Sequence, residues 1–161
     1  MVEILRRLWK ENEGKIKLFV SASVYADDAT IVLVKQRVWR RGPIYIDDSP
    51  FARFPLNDLS NIQTFLVEIL LTPIKEATGD LPAQDTKEYL KRLGVRSVRQ
   101  SVERYKNVSV RLIEDSLVAS PSTRDYNSKA WIPKPGDITE KAWGQDSHGA
   151  KAVLEALRIS E

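Results

Sequence analysis

Ile16-Lys17-Leu18-Phe19-Val20-Ser21-Ala22-Ser23-Val24-Tyr25 is the stretch on which the fold turns. Ile16, Leu18, Val20, Ala22 and Val24 alternate with Lys17, Phe19, Ser21, Ser23 and Tyr25, the period of a half-buried strand. Ala26-Asp27-Asp28-Ala29 supplies a turn, and Thr30 to Trp39, rich in β-branched residues, pairs back as a hairpin. Gly42-Pro43 breaks that run, and Ile44-Tyr45-Ile46 starts a short third strand. Asp47 to Asp58 contains Pro50-Phe51-Ala52-Arg53-Phe54-Pro55. It reads as a loop or edge segment with partly buried aromatics, because proline cannot donate to a ladder. The period then changes. Over about 60–77, Ile62, Phe65, Leu66, Ile69, Leu70 and Ile74 fall at helical spacing and would face a sheet, with Ser60 or Asn61 as cap and Pro73 kinking or ending the helix.

Working outward, the same order returns. Val108, Val110 and Leu112 alternate, Glu114-Asp115 can turn the chain into Leu117-Val118-Ala119, and Pro121 to Ser128 is a polar loop. Trp131-Ile132 and Ile138 mark short strands in a segment interrupted by Pro133, Pro135 and Gly136. Asp146 or Ser147 then caps a helix over about 147–159 that buries Ala150, Val153, Leu154 and Leu157. Between the two units lie a connector at 79–84 and two short helices. Asp85-Thr86-Lys87-Glu88 and Ser97-Val98-Arg99-Gln100 look like capping boxes, and Gly94 sits where a left-handed C-cap belongs. Residues 3–10 have helical spacing, with Ile4, Leu5, Leu8 and Trp9 on one side and Gly14 ending the run. The expected architecture is α+β: one domain, 1–161, with an antiparallel sheet carrying packed helices. It comprises two similar strands-then-helix halves at about 1–79 and 80–161.

Composition narrows the function. At 161 residues, 42% hydrophobic and 29% charged, the chain can bury a sizeable core without staples and is too short for a large multi-domain enzyme. It has no cysteine, which removes disulfides, thiolate nucleophiles and cysteine-ligated metals together. Met1 to Trp9 lacks the apolar core of a secretory signal. Phe65 to Ile74, the longest near-apolar run, contains Glu68 and is much shorter than the roughly 20 residues a membrane span needs. A cytoplasmic protein without membrane partners is expected. The net charge of +3 comes from 25 basic and 22 acidic residues, so it marks a slightly basic surface more than a dedicated polyanion patch.

No catalytic set is legible. The single histidine, His148, falls in the first turn of the last helix, where the dipole disfavours an imidazolium, and reads as an exposed or capping residue. Asp27-Asp28 and Asp47-Asp48 are better explained as turn acids than as metal ligands. The glycines form no phosphate-cradling motif. No catalytic residue, metal ligand or cofactor is therefore assigned. The most suggestive local feature is Lys35-Gln36-Arg37-Val38-Trp39-Arg40-Arg41. On a strand, Lys35, Arg37, Trp39 and Arg41 share one face, a cationic stripe holding an aromatic. A second basic cluster, Lys91, Arg92, Arg96, Arg99 and Arg104, reads as solvated.

The order of elements resembles bacterial immunity proteins of contact-dependent growth inhibition systems. Three phrases carry the resemblance: Arg53-Phe54-Pro55-Leu56-Asn57-Asp58 running into an apolar helix, Lys91-Arg92-Leu93-Gly94-Val95-Arg96-Ser97 before a short helix, and Gly149-Ala150-Lys151-Ala152-Val153-Leu154-Glu155-Ala156-Leu157 closing the chain. The resemblance implies a non-enzymatic cytoplasmic protein that binds the toxic C-terminal domain of a delivered effector, often a nuclease, and blocks its active site. Some members look like Whirly single-stranded nucleic-acid-binding proteins, which also repeat a strands-then-helix unit. Inhibitors of nucleases are usually acidic, to complement a basic cleft, whereas this chain is net basic. The expected contacts are Arg37, Trp39 and Arg41 with the loop residues Asp47, Asp48, Phe51 and Arg53. For Phe51 and Phe54, burial beneath that loop is the competing expectation. The alternative is a single-stranded nucleic-acid-binding protein using the same stripe.

Overall fold

The alternating run becomes the centre of an antiparallel sheet. The computed structural model describes residues 20–39, 42–44, 51–71 and 86–161, by backbone alone at 20, 36–39, 42–44 and 86. Strands β1 (Val20–Ala26) and β2 (Thr30–Trp39) form a hairpin with Ala26 opposite Ile31 and Ser21 opposite Gln36. Asp27 builds the turn. Its Oδ1 accepts the backbone N–H of Ala29 (2.9 Å) and of Thr30 (2.7 Å) and the Thr30 hydroxyl (3.1 Å). Strands β3 (Gly42–Ile44) and β4 (Phe51–Pro55) pair with opposite ends of β2: Thr30 to Val34 take β4, and Arg37 to Trp39 take β3. Gly42-Pro43 therefore lies inside the third strand instead of breaking the chain before it. An edge strand this short accommodates a proline, since one of its sides needs no donor.

The pairing scheme recurs. Strands β5 (Lys106–Ile113) and β6 (Ser116–Asp125) turn at Glu114-Asp115, where Glu114 takes a left-handed φ of 57°. The early residues of β6, Leu117 to Ala119, pair with β8 (Ile138–Glu140), and Ser122 to Asp125 pair with β7 (Ala130–Pro133). In both units the early part of the second strand takes the fourth strand and its late part takes the third. β1 and β5 meet antiparallel in the middle, giving the order β3-β2-β1-β5-β6-β7. The segment 121–128, expected as a polar loop, is strand as far as Asp125. Its serines are polar because they are bonded inside the fold: Ser122 is buried, its N–H donates to Ser160 Oγ at 3.1 Å, and its hydroxyl donates to the Asn107 carbonyl.

Among the described residues four helices clothe the sheet: α1 (Leu59–Leu71), α2 (Thr86–Leu93), α3 (Val98–Arg104) and α4 (His148–Ile159). Helix α1 starts one residue early, behind Asp58 instead of Ser60 or Asn61, and the Asp58 carboxylate accepts the Asn61 N–H at 3.4 Å. Ser97 caps α3 as its capping box predicts, accepting the Gln100 N–H at 3.1 Å, while the Gln100 side chain reaches back to the Arg96 N–H at 2.7 Å. Val98 faces solvent, unlike its expected companions Val102 and Tyr105. The expected N-terminal helix, Pro73, the 79–84 connector and Asp85 lie outside the described residues.

The helices divide between two faces. On the first, Ile62, Leu66, Ile69 and Leu70 of α1 and Ala150, Val153, Ala156 and Leu157 of α4 pack on Ala22, Val24, Ile31, Leu33, Val110 and Leu117. On the second, Leu93, Val95 and Tyr105 from the α2–α3 segment cover Tyr25, Val32 and Val34. So β1 is not half-buried. Ser21, Ser23 and Tyr25 are enclosed as fully as Ala22 and Val24, and the alternation separates two interiors of different chemistry. One buried amide locks the first face: Gln63 Nε2 donates to the Trp143 carbonyl at 2.7 Å and its Oε1 accepts the Ala150 N–H at 2.8 Å. Gly149 sits at this crossing because a Cβ there would lie 2.6 Å from the Trp143 carbonyl oxygen.

Candidate functional site

Side chains with recognition chemistry collect on the second face, around the end of α2. That helix closes in a Schellman motif: Gly94 (φ 74°) donates to Lys91 O at 3.0 Å and Val95 to Leu90 O at 3.0 Å. The carbonyls of Arg92, Leu93 and Gly94 then need partners from elsewhere. Arg53 Nη2 donates to the first at 3.1 Å, the Tyr105 hydroxyl to the second at 2.5 Å and Arg104 Nη1 to the third at 3.1 Å. The partial negative charge of a helix C-terminus favours cations in this position.

Around that point the aromatics interlock. The Tyr25 ring meets Tyr89, Tyr105 and Trp131 edge-on, with centroids 6.4, 6.2 and 5.4 Å away, and its hydroxyl is bonded to that of Tyr89. Trp131 Nε1 donates to the Tyr105 carbonyl at 3.1 Å. The Arg92 guanidinium lies 5.9 Å from the Phe51 ring centroid and 4.0 Å from Glu88. Arg104 lies 4.9 Å from the Tyr105 ring centroid and 3.4 Å from the Asp27 carboxylate. Burial pushes the Asp27 carboxyl up. The N–H groups of Ala29 and Thr30, the Thr30 hydroxyl and Arg104 together outweigh burial and hold it below the usual range.

The expected contact residues divide sharply. Arg37 and Trp39 occupy the end of β2, opposite Ile44 and Gly42 of β3. Arg41, Asp47 and Asp48 lie outside the described residues. Phe51 is half-buried against the second-face cluster, while Phe54 turns to the first face, where its ring meets Phe65 edge-on at 5.8 Å. Arg53 is solvent-exposed but pinned at its tip to the α2 terminus and, at 3.5 Å, to the Tyr105 hydroxyl. Lys35, the first member of the cationic stripe, is 5% exposed, so it offers no charge to a passing ligand.

Of the five residues taken as solvated, Lys91, Arg96, Arg99 and Arg104 are exposed and Arg92 is half-buried; Arg92 and Arg104 also brace the second face, through Phe51 and through Asp27. Arg111 was also passed over. It stands between Val110 and Leu112 on β5 and so points away from the first face, on which α1 and α4 pack. The signal was present in the polar partners of the alternation, Asn107-Ser109-Arg111, matched by Ser21 and Ser23 on β1. His148 is exposed, 3.9 Å from Asp146. Among the described residues no group of three or more acidic or histidine side chains is placed to hold a metal, and no helix is long and apolar enough to cross a membrane.

The sequence matches no family model and no curated protein. Solved structures do share its fold. A protein of unknown function from Neisseria meningitidis superposes with a TM-score of 0.68 at 17% identity, over 90% of this chain and 97% of its own. A chain of the CdiA-CT/CdiI toxin and immunity complex from Yersinia pseudotuberculosis superposes with a TM-score of 0.64 at 11% identity, over 91% of this chain and 100% of its own. At such identities the likeness is one of fold.

Proposed function

We propose that this chain is an immunity protein that binds and neutralises the toxic C-terminal domain, a nuclease, of a contact-dependent growth inhibition effector. The observation that carries the reading is the end-to-end match to a chain of a toxin and immunity complex. It joins the order-and-spacing resemblance in the sequence, which points the same way. Neutralisation would be steric and electrostatic, without catalysis or cofactor, in the cytoplasm where a delivered toxin acts.

The proposed contact residues are Arg37 and Trp39 at the end of β2, Phe51 and Arg53 on β4, and Arg41, Asp47 and Asp48. Two of them suit the task physically. Phe51 and Arg53 are held by Arg92 and by the α2 terminus, so ordering them on binding costs little. Aromatic and arginine anchors carry most of the energy in such interfaces. The Asp47-Asp48 doublet would give this net basic protein a local acidic edge toward a basic cleft.

The deciding experiment is growth rescue. The C-terminal domain of the polypeptide encoded immediately upstream is expressed with and without this chain. Arrest in its absence and growth in its presence is the expected result. Arrest that this chain does not relieve sinks the reading. Salt-dependent binding to single-stranded nucleic acid would then be measured, although the burial of Lys35 shortens the stripe that reading relies on.

A further inference from the structure

Past the aromatic cluster the second face turns polar. Register places Ser21 opposite Arg111 and Ser23 opposite Ser109 across β1 and β5, and Ser109 opposite Ser120 across β5 and β6. Residues opposed in this way project to the same face as close neighbours. At the centre is Arg111, half-buried. Its Nη2 reaches Ser120 Oγ at 3.4 Å, a long bond. Its Nε is shielded from solvent and among the described residues has no partner, and the same holds for the hydroxyl of Ser21, a residue 2% exposed. Among the described residues no carboxylate pairs with Arg111, whereas Arg92, Arg99, Arg104 and Arg158 each have one. A buried donor without an acceptor is costly, and the Ser21 hydroxyl together with the unneutralised Arg111 guanidinium, whose Nε is itself without an acceptor, is a donor set for one oxyanion.

We infer that Arg111, with Ser21 and Ser120, forms an anion site that receives a carboxylate side chain of a partner protein. The guanidinium fork matches a carboxylate bidentately, and the hydroxyls complete its lone pairs. A nucleic-acid phosphate is the poorer occupant. Backbone binding needs several cations along a strand and free rings to stack on, and the aromatics nearby are packed edge-on against one another with Trp131 Nε1 already engaged. The partner class rests on the protein-binding reading above; the anion site does not.

The test follows the arginine Nε–H signals of the full-length protein by nitrogen-15 NMR, with the Arg111 signal identified by its loss in Arg111→Gln. Sodium acetate is titrated against sodium chloride at equal ionic strength, then a glutamate-rich peptide, then oligodeoxythymidylate. Acetate is expected to move the Arg111 signal saturably where chloride does not, and the peptide to do so at lower concentration. Arg111→Lys, which keeps the charge and loses the fork, is expected to bind the peptide about tenfold more weakly. Ser120→Ala gives a second perturbation if Arg111→Gln does not fold. An Arg111 signal that acetate and peptide leave unmoved overturns the site. A signal moved by oligodeoxythymidylate and not by the peptide overturns the partner class. Failed growth rescue with acetate binding intact strikes the toxin reading alone.

Discussion

The two faces of one sheet differ in what is added to their aliphatic residues. The first is aliphatic, filled by Val, Leu, Ile and Ala beneath α1 and α4, with the Gln63 amide as its polar lock. The second mixes Val32, Val34, Leu93 and Val95 with tyrosine, tryptophan, serine and arginine, beneath two short helices whose ends are tied down by side-chain hydrogen bonds. An aliphatic layer gains stability from each methylene excluded from water and carries little directional information. A polar aromatic layer gains less per area but holds donors in fixed positions. Under the proposed function, stability falls chiefly to the first face and recognition chiefly to the second.

The largest expected effect tests that division directly. Leu66 is fully buried between α1 and the sheet, and Leu66→Ala should cost about 2–5 kcal/mol in chemical denaturation. Gly149→Ala comes next. The new methyl would sit 2.6 Å from the Trp143 carbonyl, which Gln63 also holds, and overpacking of this kind costs about 1–3 kcal/mol. On the second face, Tyr105→Phe removes the donor to the Leu93 carbonyl and should cost about 1–3 kcal/mol if that carbonyl stays unsatisfied. Should Tyr105→Phe destabilise more than Leu66→Ala, the division is wrong and the second face is the structural one.

Much of the first face was legible in the sequence and much of the second was not, for a physical reason. Val108-Val110-Leu112 and Ile62-Leu66-Ile69 declare their period through hydrophobicity alone. The second face hides in the same strands, because Ser21, Ser23, Ser109 and Arg111 look like solvent-facing residues until β1 and β5 are known to lie side by side in the middle of the sheet. Likewise Ser122 reads as loop because nothing local reveals that Asn107 and Ser160 wait to bond it. Gly94 and Ser97 were legible since caps are local devices. The roles of Arg92 and Arg104 were not, because their partners Phe51 and Asp27 are distant in sequence.

Arg53 sharpens the comparison at smaller scale. Its tip is exposed and two neutral oxygens hold it, so Arg53→Ala should shift stability by less than about 1 kcal/mol. Under the proposed function the same change should impair growth rescue out of proportion to that shift. Equal rescue by wild type and Arg53→Ala would remove Arg53 from the contact surface.

The smallest effect is the dependence on acid. Asp27 joins the β1–β2 turn to α3 through Arg104, and its carboxyl is held below its ordinary value of 3.8. A depressed folded-state pKa contributes stability above the unfolded value and loses it as pH falls through the folded one. Between neutrality and about pH 5, Asp27→Asn should therefore differ from wild type by a constant amount. The gap should close only below pH 3.8, as the wild-type carboxylate takes up its proton. Asp125, Glu155 and Glu161 are also depressed, but they titrate in both proteins and cancel in the difference. Because Arg104 and Asp27 are partly exposed, their coupling in a double-mutant cycle should stay under about 1 kcal/mol. A gap that persists unchanged to pH 2 would mean the charge on Asp27 is idle and its turn geometry alone matters. The cover over the second face would then be held by the hydrogen bonds at the α2 terminus without help from this ion pair.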